Sequence, residues 1–363
     1  MRLNPAYPAH YLFILGLAYH VAGRYEEAIA AAKRALARNP NLSFSADTHD
    51  LLAWSFSELG REREARAAVG ELLKLFSNWS LEVITLKSPY KDPTITERRV
   101  AALHKAGVPW RWPTANREAL GHVGSGLEYV LRYTTEGNAQ ARRSFEQAMA
   151  LDPQYAAAYA FMGGTYVRAW IFQWSDDPQS LERALDLTQQ AIALDPSLRW
   201  FHGGLGSVYL WKKQHDRAIA EAERAIAPQE PDAYVTLAQV LNYAGQPEKA
   251  LGLVEKALRL NPQKPGWYSG VLGWTDQLLG RYEKAIVPLQ KAISQAPQHQ
   301  GFRALLAISY TEVGREEEAR AEAAELLRLN PDYSVEVDRQ RLPYKDSAVL
   351  DRHLDALRKA GLK

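Results

Sequence analysis

The histidines are the residues of this chain most able to support a metal site, because it contains nine of them and no cysteine. They are scattered, and no His-Glu-x-x-His or His-x-x-x-His spacing places two of them on one helical face. A zinc site needs three or four ligands that converge on one point. The lack of cysteine also removes disulfides and thiolate nucleophiles. We therefore predict no metal site and no cofactor.

Two glycine-rich stretches have the composition of loops that bind phosphate or present a nucleophile. Residues 202–207 read His-Gly-Gly-Leu-Gly-Ser, and residues 124–126 read Gly-Ser-Gly. Functional loops of this kind follow a strand and expose their backbone N–H groups. Both stretches instead lie in apolar segments of helical periodicity, where glycine allows close helix packing. With no catalytic constellation elsewhere, we predict that the chain is not an enzyme.

The elements that contain these residues follow a helical period. In residues 232–262, apolar side chains recur at steps of three and four, which places them on one helical face. Gly245 suits the end of a first helix, because glycine adopts the left-handed conformation easily. Pro247 suits the first turn of a second helix, because the proline's missing N–H would have no partner there. The segment therefore predicts a pair of helices.

The same frame recurs at steps of about 34 residues, which is the length of a tetratricopeptide repeat. The pattern resembles that family, which has a Leu-Gly pair and a Tyr in the first helix, then two Ala and a Pro in the second. The matching residues are Leu15, Gly16, Tyr19, Ala28, Ala35 and Pro40 in one unit, and Leu205, Gly206, Tyr209, Ala218 and Ala225 in another. The resemblance implies an all-α solenoid, a right-handed superhelix of antiparallel helix pairs with about eight repeats.

A duplicated module divides the chain into two arrays. Lys87-Ser88-Pro89-Tyr90-Lys91-Asp92 answers to Arg341-Leu342-Pro343-Tyr344-Lys345-Asp346, and each copy is followed by an amphipathic segment that ends Lys-Ala-Gly. We expect each module to cover the apolar face that the last helix pair of an array leaves in water. The prediction is two repeats over residues 1–112 with a capping module at 79–107, and six repeats over 113–363 with one at 333–361.

The chain start has no such cover. Arg2-Leu3-Asn4-Pro5 matches the tail of a second helix at Arg259-Leu260-Asn261-Pro262, as though Met1 falls inside a longer array. An open end exposes apolar surface, which suits a partner or a second copy of the chain. We therefore expect that a homo-oligomer can form through the N-terminal array.

Two units depart from the regular frame. The third fits if the turn over residues 133–138 is lengthened, and the fourth carries an insert at residues 172–178 between its helices. Asp177 and Pro178 suit the N-cap and the first position of the helix that follows. Aromatic residues around the insert either anchor it against the adjoining repeat or form a second, edge site: Trp170, Phe172 and Trp174.

This order of features is similar to the C-terminal tetratricopeptide region of bacterial class III adenylate and guanylate cyclase-like proteins. The features are the lengthened third repeat, the Trp-Ser-Asp-Asp-Pro insert and the Leu-Pro-Tyr-Lys-Asp module. The resemblance covers residues 117–363, with residues 1–107 as a truncated second copy. In that family the repeats are regulatory or interaction regions attached to a catalytic or DNA-binding module. No cyclase or winged-helix segment is present in this sequence, so no catalytic residue is carried over.

The tetratricopeptide resemblance also implies which residues line the concave surface, since the first helices of the repeats form it. Mapped here, that surface gives aromatic and amide side chains beside glycines, which suits an extended peptide or a helix. The alternative is that several of these rings pack between neighbouring repeats. The candidate peptide-binding residues are Trp200, Ser207, Trp211, Gln239, Asn242, Tyr243, Trp267, Trp274 and Gln277.

Charge and hydropathy set the expected partners. Lys and Arg number 44 against 42 Asp and Glu, a balance too even for a chain that neutralises a nucleic-acid backbone by bulk charge. No apolar run is long enough to cross a bilayer. We expect a cytoplasmic, non-catalytic platform that binds a protein or peptide in bacterial signalling, without nucleic acid or membrane. The alternative is a detached regulatory part of a nucleotide cyclase system that acts on a catalytic partner.

Overall fold

The computed structural model describes residues 9–38, 45–75, 80–86, 90, 92–109, 113–114, 116–228, 230–261 and 266–363. The chain divides into two compact units. The N-terminal unit comprises residues 1–113 with 261–263, and the C-terminal unit comprises residues 114–260 and 264–363. The division into arrays of two and six repeats stays a prediction.

The described residues form α-helices and no β-strand, which confirms the all-α fold class. The N-terminal unit contains α1 (Ala9–Val21), α2 (Tyr25–Arg38), α3 (Ser45–Glu58), α4 (Glu62–Leu75), α5 (Leu81–Leu86) and α6 (Pro93–Ala106). The C-terminal unit contains α7 (Arg117–Val130), α8 (Thr135–Leu151), α9 (Ala156–Ile171), α10 (Ser180–Leu194), α11 (Trp200–Trp211), α12 (His215–Arg224), α13 (Pro231–Tyr243), α14 (Pro247–Leu260), α15 (Gly266–Leu278), α16 (Tyr282–Gln295), α17 (Gln300–Glu312), α18 (Glu316–Leu329), α19 (Val335–Arg341) and α20 (Ser347–Lys359).

Consecutive helices pack as pairs, from α1 with α2 to α17 with α18. The turn between α13 and α14 contains Gly245 with a φ of 75°, and Pro247 begins α14, as the sequence predicts. In four of the pairs, a glycine of the first helix lies close to a carbonyl of the second; these glycines are Gly16, Gly163, Gly206 and Gly273. An added Cβ would lie 3.0 Å from the Ala218 oxygen at Gly206, and 3.0 Å from the Ala285 oxygen at Gly273. Close helix approach therefore explains these glycines, and no phosphate loop is needed.

Replacing Gly273 with alanine is expected to destabilise the C-terminal unit by about 1–3 kcal/mol, because overpacking outweighs alanine's better helix propensity. The new Cβ would lie 2.7 Å from Leu289 Cγ, which has no room to move in the core. The matched control is Gly252→Ala in α14, where nothing lies within 4 Å of the added carbon and a small gain is expected. Thermal unfolding midpoints of the two variants check this, and equal shifts would contradict it.

The N-terminal unit has its own core around α3. Asp50 is 1% exposed and accepts two hydrogen bonds from Arg99 of α6, at 2.9 Å and 2.7 Å. Leu103 of α6 is fully buried in the same core. Tyr90 lies with its ring centroid 6.2 Å from that of Trp54. The helix α6 therefore packs on α3 and α4, and the role of this segment as a capping module stays a prediction.

The second capping module ends the C-terminal unit in the same way. Asp346 caps α20, because its carboxylate accepts a hydrogen bond from the Ala348 backbone N–H at 2.8 Å. Leu354 and Leu357 are fully buried in the core that α17 and α18 contribute to. The predicted start of this last helix and its buried leucines are confirmed.

The predicted helix starts in the two irregular units differ from the structure. The helix after the insert begins at Ser180 rather than Pro178, although the Asp177 carboxylate accepts a hydrogen bond from Gln179 N at 3.0 Å, the same type of contact that Asp346 makes before α20. The turn in the third unit ends at Thr134 rather than residue 138. The Thr134 hydroxyl accepts a hydrogen bond from Gly137 N at 3.0 Å, so α8 starts earlier than the sequence suggests.

Some predicted features fall outside the described residues. These are the chain start Arg2–Pro5, the prolines Pro40 and Pro262, the first half of the duplicated motif at residues 87–89 and Lys91, and the Trp110–Trp112 stretch between the arrays. On the described part of α1, Tyr11, Ile14 and Val21 are exposed by 50%, 55% and 54%. The homo-oligomer through this end stays a prediction.

A candidate binding groove in the C-terminal unit

The C-terminal unit encloses a cavity of about 600 Å³. Its lining is mostly aromatic and aliphatic, with a few polar groups, which is the composition of a ligand site. The aromatic lining residues are Tyr133, Phe172, Trp211, Tyr243, Trp267, Trp274, Phe302, Tyr333 and Tyr344. The polar lining residues are Arg168, Thr188, Ser207, Thr236, Gln239, His299, Gln300, Asp338 and His353.

Six of the nine candidate residues line this cavity. They lie on α11, α13 and α15, the first helices of three consecutive pairs, and they are Ser207, Trp211, Gln239, Tyr243, Trp267 and Trp274. We call the surface that they form, together with the rest of the cavity lining, the groove. Its role in binding stays a prediction.

The other three candidates lie outside the cavity lining and join neighbouring helix pairs. Asn242 donates from Nδ2 to Thr275 Oγ1 at 2.9 Å, and Gln277 donates from Nε2 to the Leu305 carbonyl at 3.0 Å. Trp200 stacks on Phe161 with ring centroids 5.0 Å apart. These side chains are occupied by packing between helix pairs, the alternative that the sequence left open.

Several polar groups of the groove make no hydrogen bond with any residue the structure describes. They are the side-chain amide of Gln239 and the indole N–H groups of Trp211 and Trp267. Trp274 differs, because its Nε1 donates to the Tyr344 hydroxyl at 3.0 Å. The groove therefore offers donors and an amide to a ligand alongside its aromatic faces.

One stretch of the capping module lies along the ends of these helices, which the sequence analysis missed. We call residues 340–345 the cap segment. Lys213 Nζ donates to the Gln340 carbonyl at 2.9 Å, and His215 Nε2 donates to the Pro343 carbonyl at 2.6 Å. The Lys345 backbone N–H donates to the Tyr243 carbonyl at 2.9 Å. That carbonyl belongs to the last residue of α13, where helix geometry leaves an acceptor without an intrahelical donor.

The tyrosine of the cap segment is held by rings and by hydrogen bonds. The ring centroid of Tyr344 lies 4.9 Å from that of Tyr243 and 6.3 Å from that of Trp274. Its hydroxyl accepts from Trp274 Nε1, an obligate donor, and lies 3.2 Å from His353 Nδ1. The duplicated Pro-Tyr-Lys motif was the one sequence signal for this site.

The insert contacts the capping module through Gln173. Its amide makes a reciprocal pair with the capping module: Oε1 accepts from Ser334 N at 3.0 Å, and Nε2 donates to Ser334 O at 3.1 Å. The same Nε2 also lies 2.8 Å from Asp338 Oδ1. Asp338 is 8% exposed and also accepts a hydrogen bond from the Tyr333 hydroxyl.

Arg341 makes a second connection to the same region. Its guanidinium lies 4.2 Å from the centroid of the Trp170 ring, donates to the Trp170 carbonyl at 3.0 Å, and donates to Asp176 Oδ1 at 2.7 Å. We call the contacts of Gln173 and Arg341 together the latch. The aromatic residues near the insert are therefore held by the capping module as well as by adjacent helices.

Burial shifts the pKa of three groups beside the groove. It raises the pKa of Asp338 to about 6, against the opposing hydrogen bonds from Tyr333 and Gln173 and the charge of Arg341. It lowers the pKa of His299 to about 3, with the charge of Arg168 acting in the same direction. It lowers the pKa of His353 to about 4. Both histidines are therefore neutral at pH 7, and His299 Nδ1 accepts a hydrogen bond from Phe302 N at 3.2 Å.

Within the described ranges, no group of three or more histidine, aspartate or glutamate side chains is placed to hold a metal ion. Among the described helices, none combines the length and the apolar character that crossing a membrane requires.

Comparison with known proteins agrees with the repeat pattern. Residues 9–42 and 278–339 each match a family model described as tetratricopeptide repeat. The tetratricopeptide pattern is therefore shown for these two stretches. Proteins built from these repeats are generally non-catalytic scaffolds that bind protein or peptide partners, and the sequence prediction agrees with that general character.

The relatives are similar over limited stretches or in fold alone. A protein of Rhizobium meliloti (strain 1021) described as "Putative adenylate cyclase 3" is 34% identical over 90 residues, which are 24% of this chain and 15% of that protein's length. The structure of the APC/C hetero-tetramer Cut9-Hcn1 is similar with a TM-score of 0.51 and 16% identity, over 99% of this chain and 78% of that one. A human IFIT1 dimer with m7Gppp-AAAA reaches 0.48 and 19%, over 98% and 78%.

Proposed function

We propose that this chain is a non-catalytic interaction platform that binds a segment of a partner protein in the groove of its C-terminal unit. The observation that carries this proposal is the set of unpaired donors on Trp211, Gln239 and Trp267, on three consecutive helix pairs beside aromatic rings. Aromatic side chains supply contact area at low entropic cost, and unpaired polar groups give orientation.

The cavity of about 600 Å³ is partly open, so a partner segment can lie along it with side chains inserted. The cap segment contacts the same helices without forming a helix, and we therefore propose an extended segment as the occupant.

Replacing Trp267 with alanine is expected to weaken partner capture about tenfold or more, as truncation of a buried aromatic contact does at interfaces. Trp267 is the cleaner choice than Trp274, because Trp274 also holds Tyr344 and its loss would disturb the cap segment. The control is Val287→Ala on α16, a side chain that is 70% exposed and distant from the cavity lining.

The measurement is a quantitative pull-down from host lysate with the tagged chain and both variants, followed by mass spectrometry. The proposal expects one set of proteins to be lost with Trp267→Ala and retained with Val287→Ala, at unchanged helicity by circular dichroism. Equal recovery with both variants would remove the groove as the binding site.

A second candidate is a regulatory role toward a nucleotide cyclase supplied by another polypeptide. It is favoured by the 90-residue similarity to the Rhizobium meliloti protein described as an adenylate cyclase. Addition of this chain to such a cyclase is expected to change its turnover, and unchanged turnover at saturating chain would remove this candidate. The role in signalling is part of our proposal. So is the choice of a protein rather than a nucleic acid as partner, which the balanced charge supports.

A further inference from the structure

The cap segment is an extended peptide that is already bound in the groove. It connects the end of α19 at Arg341 to the start of α20 at Ser347 without forming a helix. Its contacts come from three consecutive helix pairs: Lys213 and His215 from one, the Tyr243 carbonyl from the next, and Trp274 from the third. This arrangement shows which features of an extended chain the groove can recognise.

The groove contacts three features of the cap segment, and they fall on consecutive residues. The carbonyl of buried Pro343 accepts from His215, and proline has no N–H that would need a partner there. The Tyr344 ring sits against Tyr243 and Trp274, and its hydroxyl bonds to Trp274. The Lys345 N–H meets the free carbonyl at the end of α13, while the Lys345 side chain is exposed. The tyrosine side chain is therefore specified by its ring and hydroxyl contacts, proline is favoured at the buried position before it because it has no N–H to satisfy, and the next residue is contacted through its backbone.

We propose that the partner segment of this groove is an extended peptide with a Pro-Tyr pair, and that Pro343-Tyr344-Lys345 is its intramolecular competitor. This inference rests on the proposed function and names the ligand class of the same site. Backbone hydrogen bonds from the ends of several helices provide affinity for an extended chain, and the ring site provides specificity. The partner's tyrosine replaces Tyr344 between Tyr243 and Trp274.

The strength of the competition between the cap segment and a partner can be measured. A covalently attached competitor acts at an effective concentration of about millimolar, and the latch at Gln173 and Arg341 holds it further. The apparent affinity of a partner is reduced by the fraction of molecules whose site is open. A variant without the competing ring is therefore expected to bind a Pro-Tyr peptide at least about tenfold more tightly than the original chain does.

The probe is a synthetic peptide with the sequence of residues 340–347, Gln-Arg-Leu-Pro-Tyr-Lys-Asp-Ser, titrated calorimetrically into the full chain. The proteins are the original chain, Tyr344→Ala, which empties the ring site, and Arg341→Ala, which loosens the latch and leaves the ring site intact. The control peptides have the tyrosine replaced by phenylalanine or by alanine. We expect both variants to bind the tyrosine peptide more tightly than the original chain does, with the phenylalanine peptide weaker and the alanine peptide without measurable binding.

Equal binding of the tyrosine and alanine peptides would overturn the inference. So would an absence of binding to both variants while circular dichroism shows the helices intact and hydrogen exchange shows residues 334–345 released. If Tyr344→Ala does not fold, the Arg341→Ala result decides alone. Loss of partner capture with Trp267→Ala, together with no peptide binding, would leave the proposed function standing and remove only this inference.

Discussion

Replacing Arg341 with alanine is expected to open the latch and destabilise the C-terminal unit by about 3 kcal/mol. The guanidinium is 8% exposed, stacks on Trp170 and satisfies the Trp170 carbonyl. Its carboxylate partner Asp176 is 93% exposed, so the ion pair itself contributes little. The loss comes from the stacking and from a carbonyl that is left without its donor. Arg341→Lys keeps the charge without the planar fork and is expected to recover less than half.

Hydrogen exchange measured by mass spectrometry separates this local opening from general unfolding. Amides of residues 334–345 are expected to lose protection in Arg341→Ala, while those of α13 to α16 keep theirs. The matched control is Arg339→Ala, two positions before Arg341 on α19. This change removes an exposed ion pair with Asp351 and should leave protection unchanged. Similar exchange in the two variants would show that Arg341 does not hold the capping module.

Acidification from pH 7 to pH 5 is expected to destabilise the C-terminal unit by about 2–3 kcal/mol. His299 and His353 have folded-state pKa values of about 3 and about 4, against 6.5 when exposed. The unfolded chain therefore binds more protons than the folded one as the pH falls below 6.5, and each histidine costs about 2 kcal/mol at pH 5. Protonation of His353 would also place a charge beside the Tyr344 hydroxyl, 3.2 Å from His353 Nδ1.

Asp338 acts in the opposite direction. Its folded-state pKa of about 6 exceeds its usual value of 3.8, so its contribution to stability is greatest at low pH and is lost as the pH rises through 6. It offsets about 1 kcal/mol of the histidine effect at pH 5. The charged group that acts on it is Arg341 on its own element, while Tyr333 and Gln173 are neutral hydrogen-bond donors from elsewhere in the chain.

Urea unfolding at a series of pH values tests this balance. The double variant His299→Asn, His353→Gln keeps an acceptor at both positions and should flatten the dependence between pH 7 and pH 5. Asp338→Asn should make it steeper, because it removes the compensating group. An unchanged slope in the histidine double variant would show that these two residues do not determine the acid sensitivity of the unit.

The sequence predicts the helix pairs well because their signals are local. Gly245, Pro247 and Asp346 act on neighbouring residues, and the structure places turns and helix starts at each of them. The same holds for the position of Trp211 and Trp267 on first helices. The start of α10 differs from the prediction by two residues, although the Asp177 carboxylate bonds to Gln179 N as a capping residue does.

The cap segment and the latch could not be predicted, because they join residues far apart in sequence through groups without a periodic pattern. Nothing around Gln173 indicates that its amide bonds to Ser334. The amides of Asn242 and Gln239 also show the limit of residue type. Both lie on α13, where each successive residue is rotated by about 100° about the helix axis. The Asn242 amide lies between helix pairs, and the Gln239 amide faces the cavity.

The bonds between Gln173 and Ser334 have a consequence for how this solenoid can change. An ordinary stack of helix pairs gains or loses a unit at modest cost, because each unit touches only its neighbours. Here α10 to α18 lie between two points that must meet, so adding or removing one helix pair would move those points apart and break the closure. The number of units between residues 173 and 334 is therefore fixed by geometry, and the C-terminal unit cannot be lengthened as an open solenoid can.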